Sequence, residues 1–377
     1  MSAGAGHLGQ VSSQVPPRPP SPDTLVAIPA TDEAHDPGAD AATEAVRAAG
    51  LSLASHRLLG RSGLRVSPLA LGTMTFGLDW GWGAERKEAQ RMFDAYVDRG
   101  GNFVDSASTY TDGTAERLLG EFAAGRRDRL VIATKYAGSA SADDPNAGGN
   151  HRKSMLRSVE QSLGRLRTDY IDLLYLHAWD GTTPVEEILR AMDDLVGAGK
   201  VLYLGIANTP AWQVSRMQAI ADLRGWVPLV ALQVQYSLLH RAAERELTPM
   251  ACEMGLGVIT CSPLGGGVLT GKYHRADLPA HGDLDAQGTR KAFAAASGAL
   301  SERGLAITEV AEEVARELET TAARVALAWL LAHPAVTAPV LGARTLAQLE
   351  DDLGALELRL SVGQRARLER AGAIEPG

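Results

Sequence analysis

Eight short apolar runs, separated by stretches with helical spacing, limit what this chain can fold into more than any other feature. They fall at residues 68–72, 102–106, 130–134, 170–176, 201–206, 232–236, 257–261 and 338–342, each bounded by turn residues. Continuous rather than alternating apolar strands, each followed by a helix, imply a parallel sheet buried on both faces. Eight such units close into a (β/α)8 barrel, the TIM-barrel form of the α/β class. An open doubly wound sheet is the alternative, and it requires a glycine fingerprint after its first strand. The one string of that kind, Gly4-Ala5-Gly6-His7-Leu8-Gly9, has only three residues before it, so no strand delivers its turn.

The stretches between the runs carry their own signals. Thr183-Pro184-Val185-Glu186 reads as a capping box with proline in the first helical position, and Thr209-Pro210 repeats the logic. Gly100 is placed to end a helix with Met92, Phe93, Tyr96 and Val97 on one face. Ahead of the first run, residues 57–66 read as a β-hairpin turning at 61–63. Residues 1–55 are rich in Ala, Gly, Pro, Ser and Asp without an apolar period, and are expected to be a disordered extension. The expectation is a single barrel domain over 56–377; the 377 residues leave room for a barrel of ~250 plus additions.

A net charge of −8 argues against nucleic acid or an anionic membrane as the main partner and favours small molecules. Cys252 and Cys261 are the two cysteines, too sparse for a disulfide framework or a metal cluster, and no metal is expected. No apolar run of ~18 residues spans a bilayer and the N-terminus lacks a signal-peptide pattern, so a cytoplasmic protein is expected. Nothing in the pattern sets an oligomeric state.

In such a barrel the reactive side chains project from the C-terminal strand ends. The second run ends in Asp105, with Tyr110 in the loop after it; the third ends in Lys135 and the fourth in His177. Of the six lysines only Lys135 closes a strongly apolar strand. A cation there needs a partner, which Asp105 on the neighbouring strand supplies. Lys135 is in turn expected to draw the phenol of Tyr110 below its ordinary value, towards a range useful for proton donation. A neutral His177 N–H would orient a carbonyl oxygen as charge builds on it. Each group alone also fits a structural ion pair or a satisfied core histidine, whereas four at one barrel face point to catalysis. After the eighth run, Gly342-Ala343-Arg344-Thr345 opens a helix whose backbone N–H groups suit a phosphate.

Several ordered segments resemble the aldo-keto reductases: RLLGRSGLRVSPLALGTMTFG from Arg57, NFVDSASTYTDGTAERLLGE from Asn102, TDYIDLLYLHAWD from Thr168, GKVLYLGIAN from Gly199, SPLGGGVLTGKY from Ser262 and LGARTLAQLEDDLGAL from Leu341. The likeness covers about 57–356 and implies a barrel that uses NADPH, with NADH possible, to reduce aldehydes or ketones. By that resemblance Tyr110 is the general acid, Lys135 and Asp105 tune it, and His177 orients the carbonyl. Gly72, Thr73 and Met74 would lie beside the nicotinamide, Asn208 and Gln233 would bond its carboxamide, and Ser262, Leu264 and Gly265 would follow the pyrophosphate. Arg344 would take the 2′-phosphate, with Gln348 and Asp351 at the adenine ribose and Asp352 near the adenine.

Three positions depart from the family pattern. Ala207 stands for a serine, Cys261 for an aromatic residue that stacks on the nicotinamide, and Asp352 for an asparagine near the adenine. Trp80, Trp82 and Trp179 are candidates to wall a pocket for the carbonyl substrate, and residues 265–300 are placed to close over bound cofactor. Two other readings use the same residues. Lys135 would serve a barrel aldolase as a Schiff base, or the chain would be a cofactor-sensing subunit whose partner reads the bound nucleotide.

Overall fold

The computed structural model describes residues 50–138, 143–278 and 289–373. The chain enters through a short antiparallel hairpin, β1 (Arg57–Leu58) and β2 (Arg65–Val66), with Arg57 opposite Val66. Eight parallel strands follow: β3 (Ala70–Gly72), β4 (Phe103–Asp105), β5 (Val131–Tyr136), β6 (Ile171–Leu176), β7 (Val201–Ala207), β8 (Leu229–Gln235), β9 (Gly257–Cys261) and β10 (Val336–Leu341). They pair in sequence order and β10 pairs with both β9 and β3, closing the barrel. Every predicted run overlaps one strand. The largest offset is at β8, which starts three residues early because Leu229 to Ala231 are buried as well.

Two apolar layers explain the runs. Phe103, Val131, Ala133, Leu173, Tyr175, Ala231, Ile259 and Ala338 meet inside the barrel, capped by Leu59 and Val66 of the hairpin. Their neighbours Val104, Ile132, Leu174, Leu204 and Leu232 face outward against the helices. Most barrel-strand positions are therefore dry on both faces, Leu202 of β7 being an exposed exception, which removes the polar alternation of a half-exposed sheet. On β7, Gly205 lies opposite Tyr175, and a Cβ there would come within 2.5 Å of the Tyr175 ring. The missing side chain makes room for a phenol inside a narrow barrel.

Helix entry differs from expectation at two points. The Val185–Gly197 helix has Pro184 at its N-cap with no side-chain cap, because Thr183 Oγ1 donates instead to Asp180 Oδ2 at 2.7 Å. The Ala211–Arg224 helix likewise starts after Pro210, and Thr209 Oγ1 donates back to the Ala207 carbonyl at 2.9 Å. In both, the proline sets the entry angle and the threonine braces the preceding loop. The Arg86–Asp98 helix behaves as expected: Met92, Phe93 and Tyr96 are buried, and Gly100, with φ +86°, donates to Val97 O.

Of the expected extension, residues 1–49 lie outside the described residues, as does the Gly4 to Gly9 string. Residues 50–55 pack on the barrel: Leu51 N–H donates to Leu356 O at 3.1 Å, and Leu53 is buried in the outer core. Among the described residues no helix is long and apolar enough to cross a membrane.

Candidate active site

Parallel pairing brings the ends of β4, β5 and β6 side by side, with Asp105 opposite Ala133 and Lys135 opposite Tyr175. Lys135 Nζ donates to Asp105 Oδ2 at 2.6 Å, to the Ser106 carbonyl at 2.7 Å and to Tyr110 Oη at 3.2 Å. All three of its protons are thus engaged, and the Tyr175 ring lies below it, centred 5.9 Å from Nζ. Burial works against its charge, but Asp105 and Tyr110 outweigh it and lift the pKa to about 12. A lysine held this firmly as an ammonium is a poor Schiff-base nucleophile.

His177 stands edge-on to Tyr110, centroids 6.2 Å apart at 80°. Burial, and then the charge of Lys135, push its pKa down to about 4, so the ring is neutral. The four residues expected to work together are together. Tyr110 itself differs from expectation: burial raises its pKa above the ordinary tyrosine value, and the attraction of Lys135 only moderates the rise. The desolvating wall includes Trp80, edge-on at 6.5 Å.

A cavity of about 510 Å³ runs from this cluster outward. Asp105, Tyr110, Gly72 and Met74 line its inner part, and Cys261, Ser262 and Leu264 its side. The thiol of Cys261 is pushed up to about 11, by burial first. Farther out lie Lys272, Arg290, Gly342, Arg344, Gln348, Asp351 and Asp352.

Several expected cofactor residues hold the site rather than line the cavity. Thr73 is buried, its hydroxyl donating to Asp105 O at 3.2 Å and hydrogen-bonded to the Ser106 hydroxyl at 2.8 Å. Gln233 Nε2 donates to Asp105 Oδ1 at 2.8 Å, which fixes the carboxylate from the side away from Lys135. Asn208, with φ +44°, ties two loops by donating to His177 O at 2.8 Å. Gly265 is packed beneath Leu239, and the cavity is lined by Gly266 and Gly267 instead. Gly267 has φ +95°, and a Cβ there would lie 2.5 Å from Lys272 Nζ, so the glycine lets the ammonium approach the loop.

At the Leu346–Leu353 helix the expected free N–H groups are largely taken. Leu346 N–H donates to Glu88 Oε1 at 2.6 Å, Gln348 N–H to Thr345 Oγ1 at 3.2 Å, and Arg344 N–H to Gln348 Oε1 at 2.9 Å. The groups suited to an anion here are side chains. Arg344 has Lys272 and Arg290 for company, and burial followed by mutual repulsion lowers the pKa of both. Arg290 stacks over Trp82 at 5.2 Å and Phe293 at 5.3 Å, and its Nη1 is buried without a hydrogen-bond partner among the described residues. An orphaned cationic donor facing two more cations is a fit for a multiply charged anion such as a dinucleotide phosphate. Sequence reasoning gave no role to Arg290, which no strand end or motif marks, or to Lys272, which lies within the family-like segment from Ser262 without being singled out; Arg290 arrives from beyond 279–288, which lie outside the described residues.

The aromatic candidates split. Trp80 and Trp82 pair at 5.9 Å beside Tyr110, whereas Trp179 pairs with Trp212, a residue not singled out by sequence, at 5.5 Å.

The aldo/keto reductase family model matches residues 68–373. The chain belongs to the aldo/keto reductase family. Relatives of this aldo/keto reductase include an uncharacterised oxidoreductase of Bacillus subtilis, 41% identical over 81% of this chain and 92% of its own length. Norsolorinic acid reductase of Aspergillus flavus is 37% identical over 86% and 83% of the two chains, and aryl-alcohol dehydrogenase (NADP(+)) of Phanerodontia chrysosporium 36% identical over 83% and 84%. Enzymes of the family act on small carbonyl compounds with nicotinamide cofactors, and this aldo/keto reductase is an oxidoreductase of that kind.

Proposed function

We propose that the protein reduces aldehydes or ketones to alcohols with NADPH, Tyr110 serving as general acid. The observation that carries this reading is the Lys135 ammonium, 2.6 Å from Asp105 and 3.2 Å from the Tyr110 hydroxyl, at the inner end of a cavity whose outer part is cationic.

Bound NADPH supplies a hydride to the carbonyl carbon. Tyr110 Oη holds the proton that passes to the carbonyl oxygen, and Lys135 stabilises the phenolate left behind. Asp105, braced by Gln233, keeps Lys135 charged and aimed at the phenol. The neutral His177 ring donates an N–H to the same carbonyl oxygen without competing for its proton. Lys272, Arg290 and Arg344 would hold the phosphates, and Arg344 is the expected partner of the 2′-phosphate. Trp80 stands edge-on to Tyr110 and pairs with Trp82, which favours a planar aromatic carbonyl. Two of the relatives are named for an aryl alcohol, the reduced counterpart of an aromatic carbonyl, and for norsolorinic acid.

The test follows nicotinamide absorbance with an aromatic aldehyde, comparing wild type with Tyr110→Phe and repeating with NADH. Turnover should fall ~10²–10⁴-fold in the variant, the usual worth of a general acid, while NADPH binding persists. Tight NADPH binding by wild type without turnover of any aldehyde or ketone offered would move the weight to a cofactor-sensing role.

A further inference from the structure

Tyr110 is followed at once by three residues with left-handed backbone: Thr111 at φ +44°, Asp112 at φ +52° and Gly113 at φ +84°. They turn the chain from the general acid into the Thr114–Phe122 helix. Glycine adopts this conformation freely, whereas a β-branched threonine holds it only under constraint from its surroundings. Thr111 is fully buried, and its hydroxyl supplies such a constraint. Oγ1 donates to the Phe76 carbonyl at 2.8 Å and accepts from the Ala115 N–H at 3.0 Å. Phe76 and Ala115 are themselves buried, so loss of the hydroxyl would strand a carbonyl and an N–H away from water.

The two bonds reach in different directions. Phe76 leads into the loop that carries Trp80 and Trp82, which Gly77 N–H closes by donating to Ala84 O at 2.9 Å. Ala115 lies in the helix whose Glu116 accepts from Thr134 Oγ1 at 2.6 Å and from Arg165 Nε at 2.6 Å, and Thr134 precedes Lys135 on β5. The Thr111 hydroxyl thus ties the turn to the aromatic wall on one side and to the strand of the ammonium on the other. Tyr110 hangs between, its N–H donating to Ala107 O at 3.1 Å and its Oη accepting from Lys135 at 3.2 Å. Because Oη lies at the far end of the side chain, a small opening of the turn swings it away from Lys135.

We propose that Thr111 is a positioning residue for the reduction: its hydroxyl latches the strained turn, and the latched turn holds Tyr110 at Lys135 and beside Trp80. The inference rests on the reductase reading above, in which Tyr110 is the acid.

Single-turnover hydride transfer tests it. The complex of the full chain with NADPH is mixed with an aromatic aldehyde, and the loss of nicotinamide absorbance is scaled to the nucleotide sites titrated by fluorescence. Thr111→Val keeps the shape and removes the hydroxyl; it should slow transfer ~10–100-fold, the scale of a misplaced reacting group, with the NADPH dissociation constant unchanged. Thr111→Ser keeps the hydroxyl and should restore a rate close to wild type. A wild-type rate in Thr111→Val overturns the proposal, as does a Thr111→Ser variant as slow as Thr111→Val, which would assign the effect to the lost methyl. NADPH affinity that falls in step with the rate would make Thr111 a general structural residue and overturn the positioning role. Should Thr111→Val not fold, Thr111→Ala, which fills less of the buried site, is read by the same criteria. Absence of hydride transfer in wild type itself overturns the reductase reading and this proposal with it.

Discussion

Tyr110 is a phenol held between a desolvating wall and a cation. Burial raises its pKa and Lys135 pulls the other way, so at neutral pH it stays protonated, the form that donates. What Lys135 contributes is a ready partner for the phenolate at the moment the proton leaves, which matters more than a low resting pKa. The two directions of the reaction should therefore respond differently to pH. At saturating cofactor, carbonyl reduction should change little between pH 6 and 8, whereas alcohol oxidation, which needs the phenolate, should climb towards a limit of ~10-fold per pH unit. Steady-state rates in both directions check this, and a kcat for reduction that falls with a midpoint near neutrality would remove Tyr110 from the role of acid. His177, at about 4, stays neutral throughout. The sign for stability is opposite at the acid end: the unfolded chain takes a proton on this histidine that the native state refuses, so stability declines as pH falls from its ordinary 6.5 towards 4.

Strands position these side chains, and one glycine shows how tightly. Gly205 of β7 leaves space for the Tyr175 ring on β6, which lies beneath Lys135. Gly205→Ala places a Cβ within 2.5 Å of that ring, and the interior of a small barrel has nowhere to move it. We expect a destabilisation of ~1–3 kcal/mol, the usual cost of overpacking, read as a lower melting temperature, together with slower turnover as Lys135 shifts. Unchanged stability would mean that the ring relaxes freely. The same geometry explains what was legible in the sequence. Strands dry on both faces leave unbroken apolar runs, and a polar residue at the end of such a run is conspicuous, so Asp105, Lys135 and His177 stood out. Arg290, Lys272 and Trp212 have no such local mark. They reach the cavity or its neighbourhood from loops and helix starts, and only the closed barrel brings them there. The roles of Thr73 and Gln233 were hidden for a related reason, since their partners, Ser106 and Asp105, lie just after and at the end of β4. Burial of Tyr110 by Trp80 is likewise a long-range fact, and spacing reveals only that Lys135 is near.

Across the whole chain a net charge of −8 contrasts with the three cations gathered at the cavity's outer part. An acidic protein with a basic recess at its cavity repels anions generally and concentrates field where Lys272, Arg290 and Arg344 converge. Burial and mutual repulsion depress both Arg290 and Lys272 from their usual pKa, which means that the cluster is under electrostatic tension until an anion arrives. A 2′-phosphate adds ~1.5–2 negative charges to the dinucleotide, by analogy with other phosphomonoesters, and should relieve most of that tension. Salt is then a probe of the discrimination. Raising ionic strength from ~0.01 M to ~0.15 M shortens the screening length from about 30 Å to about 8 Å, and should weaken NADPH binding severalfold more than NADH binding. Arg344→Ala should reduce NADPH affinity by ~10-fold or more, the worth of a charge-assisted hydrogen bond, with a smaller effect on NADH. Titration calorimetry with both nucleotides at the two ionic strengths separates the cases. Equal salt dependence for NADPH and NADH, unaffected by Arg344→Ala, would show that the cations meet the pyrophosphate alone and that the 2′-phosphate lies elsewhere.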